Sequence, residues 1–231
     1  MRLNCIVEGP TEETFMRSVL SPFLAQRGIF VSVRSVETSR SARKIHRGGL
    51  VSYIKARNDL MRWMKEAKDW DVYFTTMFDL YGLPTDFPRF DQAKSQNDPY
   101  AKVADLERAF GRDVADQRFI PYIQLHEFEA LLFADVSKFD WEFLEHERQI
   151  RRLQSVAEQF DNPELIDQGR ETAPSKRIIS EIPEYENRKT SAGPIIAEKI
   201  GIDTLRKSCP HFGEWVTSLE GLGTGGGVIS E

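Results

Sequence analysis

The stretch that decides the fold is Leu3-Asn4-Cys5-Ile6-Val7-Glu8-Gly9-Pro10-Thr11-Glu12-Glu13-Thr14-Phe15, near the start of the 231-residue chain. Its first five residues are an apolar run that predicts a strand. Pro10 predicts a helix start, because proline has no N–H to lose at the first helical position, and Gly9 allows a sharp turn between the two. Ligands of open α/β sheets bind at the carboxyl ends of strands, so Glu8 is a candidate site residue. The alternative is a helix-start carboxylate favoured by the helix dipole.

Strand and helix patterns alternate through the first 125 residues. Further strands are predicted over 29–36, 71–78 and 119–125, and helices over 12–26, 50–68 and 100–110. Helical patterns then follow one another, over 127–133, 140–160, 174–182, 193–200, 203–209 and 210–219. This order predicts an α/β fold with a mostly parallel four-stranded sheet flanked by helices, and a mainly helical C-terminal half.

The same pattern divides the chain into three parts. We expect an α/β domain over 1–135, a helical extension packed on it over 136–220, and a flexible glycine-rich tail over 221–231.

Composition and cysteine content favour a cytoplasmic protein. The chain has 40% hydrophobic and 29% charged residues, which is enough for a sizeable core. No apolar stretch approaches the roughly 20 residues that a membrane span needs, and the N-terminus does not resemble a signal peptide. Cys5 and Cys209 are expected to be free thiols, and no Cys/His spacing suits zinc.

The net charge of −5 conceals a basic block between Arg34 and Lys68, which holds ten Lys and Arg and only three acids. Within it, residues 39–49 combine basic residues, including Lys44 and Arg47, with the pair Gly48-Gly49. Backbone access and positive charge together suit a phosphate. A solvated helix surface is the alternative interpretation of such a block.

Carboxylates follow three of the predicted strands. Asp79 ends the third strand, and Glu127 and Glu129 follow the fourth, with His126 beside them. Parallel strands end at the same edge of a sheet, so we expect these acids to lie near Glu8. Crowded carboxylates repel one another and need a cation, and all-oxygen ligation suits Mg²⁺ or Mn²⁺. Such a site can neutralise a phosphoryl transition state.

Each of these residues also has a structural interpretation. Asp79 precedes a loop with glycine and proline and is typical of a turn. Glu127 and Glu129 are favourable in the first turn of a helix. His126 is a candidate structural histidine held by hydrogen bonds.

Several motifs together resemble DUF4276, a family of uncharacterised bacterial proteins. The motifs are Val7-Glu8-Gly9-Pro10-Thr11-Glu12, Asp79-Leu80-Tyr81-Gly82-Leu83-Pro84, His126-Glu127-Phe128-Glu129-Ala130-Leu131-Leu132-Phe133, Glu171-Thr172-Ala173-Pro174-Ser175-Lys176-Arg177-Ile178 and Lys189-Thr190-Ser191-Ala192-Gly193. The resemblance covers nearly the whole chain. The family is similar to Toprim domains, the catalytic fold of topoisomerases, primases and overcoming-lysogenization-defect nucleases. Its members are often encoded beside ATPases, in settings that suggest phage defence.

The Toprim resemblance implies roles for individual residues. It matches Glu8 to the Toprim glutamate and Asp79 to the first aspartate of the Asp-x-Asp motif. Tyr81 stands where the second aspartate is expected, so the usual metal pair is incomplete. Asp86, Glu127 and Glu129 are the candidate substitutes.

Lys176 and Arg177 lie at a predicted helix start and are further candidates for binding a backbone phosphate. Exposed basic residues at such a position are as often merely solvated.

The leading hypothesis is a Mg²⁺- or Mn²⁺-dependent nuclease. Glu8, Asp79, Glu127 and Glu129 would hold the metal, with catalysis assigned to the first three, and Lys44, Arg47, Lys176 and Arg177 would bind DNA or RNA. Gly9, His126 and Asp86 are possible supporting residues. Whether Glu8 or a hydroxide on the metal is the general base stays open.

Two alternatives remain at this point. One is a catalytically degenerate Toprim-like module that docks on an ATPase, which Tyr81 and the acidic stretch 125–186 favour. The other is a phosphoryl-transfer enzyme that acts on a nucleotide.

Overall fold

A computed structural model describes residues 1–36, 50–67, 69, 71–167 and 169–223. Its centre is a parallel sheet of strands β1 (Arg2–Val7), β2 (Phe30–Ser35), β3 (Val72–Asp79), β4 (Phe119–Ile120) and β5 (Ile123–Gln124). The strand order is β2-β1-β3-β4, and β5 continues alongside β3 beyond β4. Every pairing is parallel. The predicted α/β class with a parallel sheet flanked by helices is therefore confirmed.

The strand predicted over 119–125 is two short strands. Pro121 and Tyr122 separate β4 from β5, and proline interrupts the ladder because it has no N–H to donate. The Oγ1 of Thr76 bridges the gap, since it donates to the carbonyl of Tyr122 at 3.0 Å and accepts the Tyr122 N–H at 3.1 Å. Both segments thus stay beside β3.

The first helix is continuous but irregular. It consists of α1 (Pro10–Phe15), a π-helical turn (Met16–Leu20) and α2 (Ser21–Ala25). Pro22 has no N–H for the regular helical ladder, and the π turn directly precedes it. The helix predicted over 12–26 is thus present with one distorted turn.

The remaining helices of the described residues cover the two faces of the sheet. They are α3 (Tyr53–Glu66), α4 (Phe90–Ala93), α5 (Pro99–Val114), α6 (Glu147–Ala157), α7 (Pro174–Glu181), α8 (Lys189–Ile200), α9 (Ile202–Ser208) and α10 (Pro210–Gly223). Short 3₁₀ segments lie at Leu80–Gly82, Phe128–Ala134, Val136–Trp141, Pro163–Leu165, Arg170–Thr172 and Pro183–Asn187. No helix among the described residues is both long and apolar enough to cross a bilayer.

Each face of the sheet has its own core. Helices α3 and α5 pack on Ile6, Phe74 and Phe78. The first helix and the C-terminal helices pack on the opposite face, around Leu3 and Val7. Residues from both sides of the predicted boundary at 135 therefore share one core.

Three predicted elements differ in the structure. The segment predicted as the helix 140–160 is a 3₁₀ segment (Val136–Trp141) followed by α6, with Glu145 in the left-handed region at φ 64° between them. The helix predicted over 127–133 is a 3₁₀ segment, Phe128–Ala134, rather than an α-helix. The tail predicted from 221 is wrong for its first three residues, because α10 continues to Gly223, which packs against the Arg27 carbonyl. Residues 224–231 lie outside the described residues.

Candidate functional site

The carboxyl ends of the central strands bring the predicted acids to one edge of the sheet. Val7 of β1 pairs with Met77 of β3, so Glu8 and Asp79 follow side by side. Asp79 in turn pairs with Gln124 of β5, three residues before Glu127. The parallel register therefore collects acids that are more than 100 positions apart in sequence.

Glu8 is held by backbone groups. The Asp79 N–H donates to its Oε2 at 3.0 Å. Burial raises the pKa of Glu8, and hydrogen bonds from the backbone of Asp79 and Leu50 partly oppose the rise. A Cβ built on Gly82 would lie 2.3 Å from Glu8 Oε1. Gly82 is thus the residue that leaves room for the Glu8 carboxylate.

Asp79 is the centre of the acid cluster, which we define as Glu8, Glu12, Asp79, Glu127 and Glu129. Burial raises its pKa well above the usual range, and the charges of the other four raise it further. Its Oδ1 is inaccessible to solvent and has no hydrogen-bond partner among the described residues. A buried acceptor without a donor is unfavourable. The structure therefore leaves a place for a proton or a cation at Asp79.

Glu12 belongs to the cluster although the sequence analysis missed it. Its residue is 6% exposed, and burial, with the charges of Glu8 and Glu129, raises its pKa to about 8. Its spacing was the available signal, because it lies in the first turn of the helix that starts two residues after Glu8.

The structure gives a different reason for glycine at position 9 from the predicted sharp turn. Its φ of −150° is extended and open to any residue, but a Cβ there would lie 3.2 Å from Glu12 Oε2. It therefore leaves room for Glu12 rather than supplying a special turn.

The C-terminal half supplies the partners of Glu127 and Glu129. At the start of α7, the Ser175 N–H and Oγ each donate to Glu127 at 2.9 Å. Tyr185 donates to Glu129 Oε1 at 3.3 Å, and Lys189 Nζ lies 3.4 Å from the same oxygen. Burial raises the pKa of Glu127, and the charge of Glu129 raises it further. Both halves of the chain thus build the cluster.

His126 lies beside the cluster, and it is buried with a backbone in the left-handed region. It is 4% exposed and has φ 61°. Its Nδ1 lies 3.7 Å from Asp167 Oδ2. Burial lowers its pKa, and the charge of Asp167 partly offsets this. A backbone hydrogen bond at Glu164 also raises the pKa, so the interpretation of His126 as a hydrogen-bonded structural histidine stays a prediction.

Tyr81 turns toward the same aspartate. Its hydroxyl hydrogen-bonds Asp167, and burial followed by this bond raises its pKa. Its ring packs 5.3 Å from the ring of His126. A carboxylate thus stands next to position 81, but it comes from the loop before α7 rather than from the motif itself.

The other predicted residues lie elsewhere or are engaged. Asp86 accepts from Ser52 Oγ and from the N–H groups of Tyr53 and Ile54, so it caps α3 instead of joining the cluster. Lys176 is exposed on α7, whereas the Nε of Arg177 donates to the Thr172 carbonyl at 2.7 Å. Lys44 and Arg47 fall outside the described residues.

The donor types of the cluster fit Mg²⁺ or Mn²⁺. All of its donors are carboxylate oxygens, which these ions prefer, and Asp79 Oδ1 is a buried acceptor in need of a partner. Among the residues that the structure describes, no three Asp, Glu, His or Cys side chains stand close enough to coordinate one ion as placed. Coordination of one ion therefore requires carboxylates of the cluster to move closer together.

Comparison with known proteins supplies a family. Neither a curated protein nor a solved structure matches the chain. The family described as "Domain of unknown function (DUF4276)" matches residues 7–220, a span that contains every residue of the acid cluster. The chain therefore belongs to the DUF4276 family.

Proposed function

We propose that this protein is a Mg²⁺- or Mn²⁺-dependent phosphodiester hydrolase, a nuclease of Toprim-like type. The observation that carries the proposal is the acid cluster around Asp79, with a buried oxygen that no described group satisfies. Carboxylates are expensive to bury together unless a cation or protons compensate them. A fold has no structural need for such a cluster, so a ligand is the better reason for it.

In this proposal the side chains of the cluster have different roles. Glu8, Asp79 and Glu127 hold the cation, with Glu129 and Glu12 as further oxygen donors. When bound, Mg²⁺ or Mn²⁺ supplies Lewis-acid stabilisation of charge on the phosphoryl oxygens. Lys189 limits the net negative charge near Glu129. This lets a phosphate approach an otherwise acidic edge.

Tyr81 and Asp167 bear on the Toprim comparison. The second aspartate of the Toprim motif is absent at position 81, and the tyrosine there instead bonds Asp167. In our proposal Asp167 supplies the missing negative charge from a different part of the chain. The ATPase partner and the link to phage defence rest on the family resemblance. A cytoplasmic location is consistent with the two buried free cysteines.

The test combines cation binding with cleavage. Wild-type protein, Asp79→Ala and Glu8→Gln are titrated with Mn²⁺ by calorimetry and assayed on labelled single-stranded and duplex DNA and RNA. Glu214→Gln, on the exposed face of α10, is the matched control. We expect a loss of at least about 100-fold in cleavage for the two cluster variants, because even outer partners of metal ligands are worth about 10–100-fold.

Binding data separate this proposal from a general loss of folding. Circular dichroism and thermal melts should show all variants folded. Wild-type protein that neither binds Mn²⁺ nor cleaves any substrate would contradict the proposal, as would Asp79→Ala with wild-type activity.

A second candidate is a docking module without catalysis. The observations that favour it are the absence, among the described residues, of a ready coordination group and the engagement of Tyr81 with Asp167. It predicts that the protein co-purifies with an ATPase of the kind that the family resemblance implies, and that the mixture cleaves nothing in either cation.

A further inference from the structure

Two cavities of about 370 Å³ each lie side by side along β2, the edge strand of the sheet, next to α3. Both are lined by Val33, Arg34 and Trp63, so they form one groove along β2. One cavity begins at Arg2 near the amino end of β1, and the other reaches Ile6 near its carboxyl end. The groove therefore runs along the strands toward the edge that carries the acid cluster.

The end of the groove is tied to the helix of the cluster. Ser35, the last residue of β2, donates to Glu13, and both residues line the second cavity. Glu13 directly follows Glu12 in α1. This end of the groove therefore lies at the helix that also carries Glu12.

Arginines line the groove along its length. Arg17, Arg34 and Arg62 line the second cavity, and Arg2 lines the first. More than half of each arginine side chain is exposed. Arg34 lies 3.4 Å from Glu66, and Arg62 lies 3.5 Å from Asp59. Arg17 pairs with Glu13 at 2.9 Å, and its Nη2 also donates to the Val33 carbonyl at 2.7 Å. Exposed ion pairs of this kind contribute at most about 1 kcal/mol, so a phosphate can replace the carboxylate at little cost.

Arg34 also offers a flat surface. Its guanidinium carbon lies 4.1 Å from the centre of the Trp63 ring, and Trp63 itself is 6% exposed. One face of the guanidinium is thus covered by the indole, while the side chain remains 56% exposed. Arginine planes stack on nucleobases, and this stacking is tolerant of sequence.

We propose that this arginine groove binds single-stranded nucleic acid, with phosphates at Arg17, Arg34 and Arg62 and a base stacked on Arg34. The groove carries the strand toward the acid cluster, and in that respect the inference rests on the proposed function. The stacking plane of Arg34, which lines both cavities, favours an oligonucleotide over an acidic peptide.

The experiment measures binding without cleavage. Fluorescence anisotropy follows fluorescein-labelled 20-nucleotide DNA and RNA strands in EDTA, over a range of salt concentrations. The test variant is Arg17→Gln/Arg34→Gln/Arg62→Gln. The matched control is Arg148→Gln/Arg151→Gln/Arg152→Gln, which removes the same charge from the exposed face of α6.

The groove variant should bind at least about 10-fold more weakly than the control. Its salt dependence should also flatten, because each lost phosphate contact lowers the slope by about 0.7 for single strands. Arg34→Gln alone should show part of the loss and keep the wild-type melting temperature, which guards against a folding defect in the triple variant.

Three outcomes would overturn the proposal: equal affinities of the two triple variants, equal salt slopes, or a polyglutamate peptide that competes as well as an oligonucleotide. These results are separate from the fate of the proposed function. Groove-dependent binding with no cleavage in Mg²⁺ or Mn²⁺ would contradict the hydrolase and leave the groove intact. Cleavage by the wild-type protein together with equal affinities of the two triple variants would contradict the groove and leave the hydrolase proposal intact.

Discussion

The carboxylate of Glu164 and the carboxylates around Asp79 are both removed from water, but their partners differ. Glu164 is fully buried, and it accepts the N–H groups of His211 and Phe212 at 2.9 Å each and the Tyr100 hydroxyl at 3.2 Å. It therefore satisfies the start of α10. Asp79 instead faces four other acids and keeps one oxygen without a donor.

This difference separates a structural acid from a functional one. Burial raises the pKa of both groups, so the pKa direction alone does not distinguish them. The donors do. Around Glu164 hydrogen bonds lower the pKa again, whereas around Asp79 the neighbouring charges raise it further. Stability should depend on the first carboxylate and ligand binding on the second.

The largest expected effect is on stability, at Glu164. Glu164→Ala should lower the free energy of unfolding by about 3 kcal/mol, because it leaves two buried N–H groups and a hydroxyl without an acceptor. Glu164→Gln keeps one acceptor oxygen and should cost about half as much. Urea denaturation measures both. A loss below about 1 kcal/mol for the alanine variant would remove the structural role assigned here.

Asp79→Asn should act in the opposite direction. It removes a buried carboxyl group whose ionisation burial and the four neighbouring acids oppose, so we expect about 1 kcal/mol of added stability, within the range typical of relieved functional sites. Cleavage and Mn²⁺ affinity should fall together. If the variant is instead markedly less stable, Asp79 contributes to the fold as Glu164 does.

Gly82→Ala should disturb the site with little cost to the fold. Its Cβ would meet the end of the flexible Glu8 side chain, which must then move. We expect a loss of at least about 10-fold in Mn²⁺ affinity, the scale of a disturbed ligand environment, with a stability change below about 1 kcal/mol.

Gly111→Ala is the matched control for Gly82→Ala. Its Cβ would meet Pro121 at an ordinary 3.8 Å inside α5. It should add up to about 1 kcal/mol through helix propensity and leave Mn²⁺ affinity unchanged. Equal Mn²⁺ affinities in the two variants would show that Gly82 does not shape the site.

The smallest effect concerns pH. Burial lowers the pKa of His211, but its hydrogen bond and attraction to Glu107 outweigh this, so the net pKa is raised. The protonated form is therefore favoured by folding. Its contribution is complete below the unfolded pKa of about 6.5 and is lost as the pH rises through the folded pKa.

Melting temperatures between pH 5.5 and 9 measure this contribution. The wild-type value should fall as the pH rises, because His211 loses its proton and acids of raised pKa such as Glu12 ionise. Glu107→Gln or His211→Gln should remove the His211 part of the fall. An unchanged profile in both variants would contradict the assignment.

Much of the fold followed from local patterns. The apolar runs at Leu3–Val7 and Val72–Phe78 located the two central strands, because strands buried on both faces read as continuous apolar sequence. The break at Pro121 and the π turn before Pro22 shifted the detail without changing the topology. The length of α10 was underestimated, because packing of Gly223 against the Arg27 carbonyl has no trace in the local sequence.

Part of the candidate site was also predicted, because the carboxyl ends of parallel strands meet at one edge of the sheet. The structure places Glu8, Asp79, Glu127 and Glu129 together, as the shared carboxyl edge implied. Asp86 was predicted as a candidate substitute in the site because it follows Asp79 in the same loop. Its carboxylate caps α3 instead. Glu12 was not predicted as a site residue, because an acid in the first turn of a helix is favourable there without any ligand and the sequence does not show that it is buried.

The sequence by itself determined the parallel strands and which acids end them, since alternating apolar patterns and strand direction are local properties of the chain. Only the tertiary structure decided what surrounds those acids. Lys189, Ser175 and Asp167 lie far along the chain from the residues they contact, and no local pattern indicates that they meet. The packing of the C-terminal helices on the sheet brings them there. It also determines which buried carboxylates have donors and which do not.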